Sequence, residues 1–183
     1  MHASDCSGWL PNWAPAAGQI QSQRSELRRL VGARVADGWI VWNHEHDEWF
    51  ADLPVVIRLE DGRQLEVSWQ KFDELSVTWN TVDVSVAPTA WVTWPLSWRS
   101  AVHPALVAVT GKVIAGVAAT EHLFTTRRLH ADGREDDERG QWLTGGLWLE
   151  TDGHGLHIFN ALDENGLSNE AADSSGQSRL VAI

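Results

Sequence analysis

Pro54-Val55-Val56-Ile57-Arg58-Leu59-Glu60-Asp61-Gly62-Arg63-Gln64-Leu65-Glu66-Val67-Ser68-Trp69 holds two β-rich runs on either side of Asp-Gly. Asp-Gly readily takes the positive φ angles of a tight turn, so the stretch predicts a β-hairpin. In its second strand Leu65, Val67 and Trp69 share one face, while Gln64, Glu66 and Ser68 share the other. That alternation predicts a half-buried strand. Leu149-Glu150-Thr151-Asp152-Gly153-His154-Gly155-Leu156-His157-Ile158 repeats the pattern of Leu59 to Val67 with one inserted residue. Each copy runs on to an Asp-Glu pair, Asp73-Glu74 and Asp163-Glu164.

The likeness extends upstream. Leu27-Arg28-Arg29-Leu30-Val31-Gly32-Ala33-Arg34-Val35-Ala36 falls in register with Leu106-Val107-Ala108-Val109-Thr110-Gly111-Lys112-Val113-Ile114-Ala115. In the first copy Ser25 can cap a short helix that Gly32 ends. In the second, Pro104 opens a helix through Val109 that Gly111 ends. A strand follows each glycine, from Ala33 to Trp42 and from Lys112 to Thr120. A helix, a strand and a hairpin are too few to close a core alone, so the two copies are expected to pack their apolar strand faces together. The expectation is a mainly β (α+β) protein of antiparallel sheets, made of two pseudo-repeats related by a pseudo-twofold axis.

Residues 1–22, rich in Ala, Pro, Ser and Gln around Trp9 and Trp13, read as an extended N-terminal arm. Residues 23–170 read as a single domain holding the repeats, at about 25–86 and 104–168, and residues 171–183 as a C-terminal tail. Val77 to Val86 alternates like a strand stopped near Pro88. Trp142 to Glu150 and Gly155 to Asn160 form the second hairpin. Ala131 to Gly140 reads as an acidic loop between strands.

Composition bounds the function. The chain has 183 residues and a formal net charge of −11, which disfavours direct binding to nucleic acid because a phosphate backbone is repelled. The one cysteine, Cys6, precludes an intramolecular disulfide. No signal-peptide pattern and no run of membrane-spanning length are legible, so a cytoplasmic protein without membrane contact is expected. Twelve tryptophans accompany no tyrosine, and twelve arginines accompany two lysines. GC-rich coding in a bacterium accounts for much of that bias.

Three constellations are candidates for chemistry or binding. In an extended loop His44, His46 and Glu48 would project from one face and could ligate a divalent metal. The carboxylates Asp73, Glu74, Asp163 and Glu164, at equivalent places in the repeats, could approach each other for acid–base work or calcium binding, although strand-end Asp residues ordinarily serve turns. Trp91, Trp94 and Trp98 could form an aromatic anchor, with Asp136, Asp137 and Glu138 as an acidic surface beside it. No nucleophile elbow or phosphate loop is present, and no cofactor is implied.

The expected function is a non-enzymatic protein-binding module, of the acidic inhibitor or immunity type, acting on a partner with a basic surface. Two alternatives stand beside it. One is an enzyme whose His and carboxylate residues assemble across the repeat interface. The other is a Trp-lined β module that binds a small ligand or sugar. Homodimerisation through strand edges or the arm is also expected.

Overall fold

A computed structural model describes residues 6–89, 93–135, 137–171 and 176–183. The order is β1 (Ala14–Pro15), α1 (Ala16–Ser22), α2 (Arg24–Arg28), β2 (Val35–Asn43), β3 (Glu48–Trp49), β4 (Val55–Leu59), β5 (Gln64–Gln70), β6 (Glu74–Trp79) and β7 (Leu96–Ser100). There follow α3 (Pro104–Val109), β8 (Ile114–Thr126), β9 (Arg139–Thr151), β10 (His154–Asn160), β11 (Asn165–Ser168) and β12 (Ser178–Ala182). The protein is mainly β, with two antiparallel sheets and few helices. The first sheet runs β1-β6-β5-β4-β2-β3 with β7 also on β2, and the second runs β11-β10-β9-β8-β12. No helix among the described residues is long and apolar enough to cross a membrane.

The apolar faces of both hairpins meet in one core. Leu65, Val67 and Trp69 from β5 join Leu147 and Leu149 from β9 and Leu156 and Ile158 from β10. Each such side chain taken out of water contributes about 1.5–3 kcal/mol. The helices flank this core: α1 touches β6 and β9, and α3 touches β2, β10 and β11. The α3 start follows its sequence closely, with Pro104 in the first turn and His103 Nδ1 accepting from the Ala105 N–H at 3.2 Å.

The two sheets are stitched where each leading glycine leaves its helix. Gly32 N–H donates to Ile114 O and Gly111 N–H to Val35 O, both at 2.8 Å. Val35 N–H donates to Lys112 O at 2.9 Å and Ile114 N–H to Ala33 O at 2.8 Å. Both glycines have positive φ, 88° and 77°, where a Cβ would be strained. A second clamp is the buried Asn165. Its Oδ1 accepts from Trp69 N–H at 2.9 Å, and its Nδ2 donates to Ala51 O at 2.7 Å and Leu53 O at 2.9 Å.

Several expectations are corrected. The segment read as an extended arm carries β1 and α1, and Ala16, Gln19 and Ile20 of α1 are buried. The segment read as a tail forms β12, paired with β8. The strand expected to reach Val86 ends at Trp79, because Asn80 turns left-handed at φ 58° and the next two N–H groups go to a carboxylate. Strand β5 is buried on both faces, not one. Its polar row lies beneath distant chain: Asn12 N–H donates to Ser76 Oγ at 2.9 Å, and Asp83 N–H to Ser7 O at 2.9 Å.

Under that cover sits Glu66, 1 % exposed. Oε1 accepts from Gln64 Nε2 at 2.8 Å, Thr81 N–H at 2.7 Å and Val82 N–H at 3.0 Å. Oε2 accepts from the hydroxyls of Thr78 at 2.6 Å and Thr81 at 2.7 Å. A buried carboxylate is costly unless its lone pairs are met, and here neutral donors meet them. Beside it, Cys6, Val41, Phe50, Leu53 and Leu96 form a second apolar cluster, with Trp9, Trp94 and Trp98 packed against it. The outer face of the first sheet is therefore sealed over β5 and β6.

Candidate functional site

The outer face of the second sheet is open and holds a cavity of about 490 Å³. It follows from strand parity. Leu156 and Ile158 face the core, so His157 and Phe159 face outward. Thr120 reaches the same cavity from β8, and its Oγ lies 2.8 Å from His157 Nε2. The two meet across β9 because position 146 is glycine: a Cβ there would collide with both His157 Nε2 and Thr120 Oγ1. Gly145 does the same for His122, whose Nδ1 would lie 2.8 Å from a Cβ at that position. Two adjacent glycines in a strand ordinarily weaken it and mark a close approach, and here the approach is by imidazole rings.

The walls are aromatic and aliphatic. Phe159 lies 4.9 Å from the His157 ring, tilted by 35°, with Trp148 behind at 6.3 Å. Phe72, from the β5–β6 turn, is 65 % exposed and Leu162, from the β10–β11 turn, 89 %. Phe72 also meets Phe124 edge-to-face at 6.1 Å. Asn160 fixes the turns to each other by donating to Lys71 O at 2.7 Å and accepting from Asp163 N–H at 3.2 Å.

Charge around the cavity is one-sided. Its lining carries Glu121 and Asp163 and no Arg or Lys. Arg179, next to the lining Ser178, is held by Glu121 Oε2 at 2.6 Å and lies 4.1 Å from the Trp142 ring. Burial pushes the His157 imidazole down to about 4. At neutral pH only about one molecule in a thousand then carries the imidazolium. The floor is a neutral hydrogen-bonding pair. It is poorly matched to proton transfer, which favours a group poised near the working pH.

Among the described residues of the three constellations read from the sequence, only Asp163 lines the cavity. His44 Nε2 pairs with Ser97 Oγ at 2.7 Å, and His46 packs edge-on against Trp94 at 4.8 Å. His44, His46 and Glu48 are not brought together, and no group of three or more His, Cys, Asp or Glu among the described residues is placed to hold a metal. Glu48 lies instead near Glu164; burial first, then the charges of Asp52 and Glu48, raise the Glu164 carboxyl above its ordinary range.

Asp73 and Glu74 are both tied down within the protein. Asp73 Oδ1 accepts from Ala16 N–H at 3.3 Å, and Glu74 takes Gln70 and Lys71 at 2.7 Å and 2.9 Å. Trp94 and Trp98 are half-buried against the second cluster, while Trp91 lies outside the described residues. None of the described tryptophans is exposed.

The acidic loop is the tip of the long β8–β9 hairpin, and part of its charge is paired with arginine. Arg127 holds Glu138 at 2.5 Å and Glu135 at 3.6 Å, and Asp137 lies beside Arg127, Arg128 and Arg139. Asp136 is outside the described residues.

Sequence reasoning missed the His157, Thr120 and Gly146 constellation. One signal was legible, namely a histidine and a phenylalanine on the polar parity of the second hairpin, opposite a Gly-Gly pair. No protein-family model, no curated protein and no solved structure matches the chain.

Proposed function

We propose that this chain is a non-enzymatic binding module and that it binds on the outer face of the second sheet. The observation that carries the reading is the cavity, with its neutral Thr120–His157 floor and exposed Phe72 and Leu162 at its edge. A concave site with a few convergent polar groups among apolar walls suits a small ligand. Of the binding roles weighed from the sequence, this favours the small-ligand module. The contacts are with phenylalanine and histidine, and six of the described tryptophans lie in or against the cores.

An acidic protein-binding role is the second reading. It is supported by the net charge of −11 and by Phe72 and Leu162, which could seat against a basic partner. Homodimerisation belongs to the same reading, through the exposed residues of β12 at the sheet edge.

We also propose that the two sheets derive from a duplicated unit about a pseudo-twofold axis. The hydrogen bonds of Gly32, Val35, Gly111 and Ile114 support it, since each has a counterpart with the two partners exchanged. On this view 23–170 is one domain.

The test is a thermal-shift screen of a chemically diverse small-molecule library, run on the wild type and on Thr120→Val. Hits lost in the variant would establish ligand binding at this face. Affinity capture with wild type and the Phe72→Ser/Leu162→Ser pair addresses the second reading. If no hit depends on Thr120 and no captured protein depends on Phe72 and Leu162, the face is not a binding surface.

A further inference from the structure

We propose that the cavity on the second sheet is a site for a small, flat, uncharged aromatic molecule, lying between Phe72 and the His157–Phe159 ring pair with one polar edge on Thr120 and His157. This rests on the reading that the open face is where the chain binds, and it names the ligand class.

Shape comes first. The volume of about 490 Å³ falls among small-molecule sites, for which roughly 300–1,000 Å³ is usual. Gly145 and Gly146 strip the central strand of side chains, so the Thr120–His157 pair rests directly on the backbone. The Phe159 and His157 rings, tilted by only 35° to each other, offer neighbouring flat surfaces. Planar rings stack on such surfaces in offset or tilted geometry. Phe72 stands at the mouth with most of its ring in water, which leaves it free to cover a ligand.

Polarity sets the second constraint. Thr120 and His157 already share a hydrogen bond, and a hydroxyl retains acceptor capacity while the imidazole presents its second nitrogen. One ring N–H, hydroxyl or carbonyl of a ligand can therefore be met.

Charge decides the class. An anion would enter past Glu121 and Asp163, find no Arg or Lys in the lining, and meet an imidazole that burial keeps neutral. The nearby Arg179 is committed to Glu121 and the Trp142 face. A cation gains little, because Glu121 is already paired and Asp163 is exposed to solvent.

A matched series separates these terms: indole, indole-3-acetate and tryptamine carry the same ring with zero, negative and positive charge. Binding is read from the His157 ring resonances and by calorimetry on the intact chain. Indole should saturate the site and tryptamine should follow within about threefold. Indole-3-acetate should bind at least about tenfold more weakly. Thr120→Val and Phe72→Ser should each weaken indole by about fivefold or more, with the far-ultraviolet spectrum unchanged.

Equal or tighter binding of the anion would overturn the proposal. So would the absence of any effect on His157 up to millimolar probe. In either case, library hits of another class that need Thr120, or partner capture that needs Phe72 and Leu162, would leave the broader reading standing. Loss of all three signals would remove both.

Discussion

Glu66 and His157 occupy matching places in two hairpins. Each stands four residues beyond a turn glycine of positive φ, Gly62 at 88° and Gly153 at 73°. Each points away from the common core, between core residues Leu65 and Val67 in one case and Leu156 and Ile158 in the other. Their surroundings could hardly differ more. Glu66 is sealed beneath Thr81 and Val82 and saturated with donors, while His157 lines an open cavity with Thr120 as its hydrogen-bond partner. The strand sets which way a side chain points, and the chain that passes overhead sets what it can do. A covered polar residue becomes structural, and an uncovered one is available to a ligand.

The comparison breaks most readily at Glu66. Glu66→Ala strands several buried donors, each worth roughly 1–3 kcal/mol when unsatisfied, and should cost about 3–5 kcal/mol after partial recovery by water. Glu66→Gln, which keeps the volume and one acceptor, should cost about 2 kcal/mol. His157→Ala at pH 7 removes a half-buried ring and its hydrogen bond to Thr120 and should cost about 1–2 kcal/mol. Urea denaturation of the three variants ranks them. Equal losses at positions 66 and 157 would dissolve the distinction.

Asn165→Ala comes next. It removes the acceptor of Trp69 N–H and the donors to Ala51 O and Leu53 O. A loss of about 2–4 kcal/mol is expected, together with faster amide exchange at Trp69. Unchanged exchange there would mean that the clamp does not tie the open sheet to the sealed one.

Acid separates the sites in a third way. The His157 imidazole takes its proton near 6.5 in an ordinary setting and only near 4 in the folded chain. Between those values the unfolded state binds more protons, so stability is greatest above pH 6.5 and falls as the pH drops towards 4. The contribution is about 2–3 kcal/mol, allowing for partial exposure of the ring. Wild type should lose that much more than His157→Gln across the same window, measured by denaturant melts at each pH. Parallel curves would show that the ring is not kept neutral.

Phe72→Ser and Leu162→Ser should have the smallest effect on stability, within about 0.5 kcal/mol, because both side chains are already largely in water. Iodide or acrylamide quenching gives a companion check. Nine of the eleven described tryptophans are partly exposed and only Trp69 and Trp148 are buried, so the quencher should take part of the emission and leave a protected fraction, and full quenching would restore the idea of a tryptophan surface.

Much of the fold was legible locally. The Asp-Gly turn, the alternation of Leu65, Val67 and Trp69, the glycine that follows the α3 cap, and Pro104 all act over a few residues, and the structure uses each as its chemistry suggests. Harder to read were segments that depend on partners. Residues 16–22 have a composition that suits an arm but form a helix, because Ala16, Gln19 and Ile20 find the core. The acidic stretch 132–138 reads as a free anionic loop, yet Arg127 in the opposite flank of the same hairpin pairs with Glu135 and Glu138.

The sequence by itself determined that the chain is mainly β, where the two hairpins turn, and which parity faces the core. Those features arise from backbone sterics and period-two alternation, which act between near neighbours. Only the tertiary structure decided which outer face is covered, joining Glu66 to Thr81 and Val82, and Asn12 to Ser76, while leaving Thr120 and His157 on the floor of a cavity. Alternation marks a residue as pointing outward. Whether water, protein or a ligand waits there depends on segments brought in from distant parts of the chain.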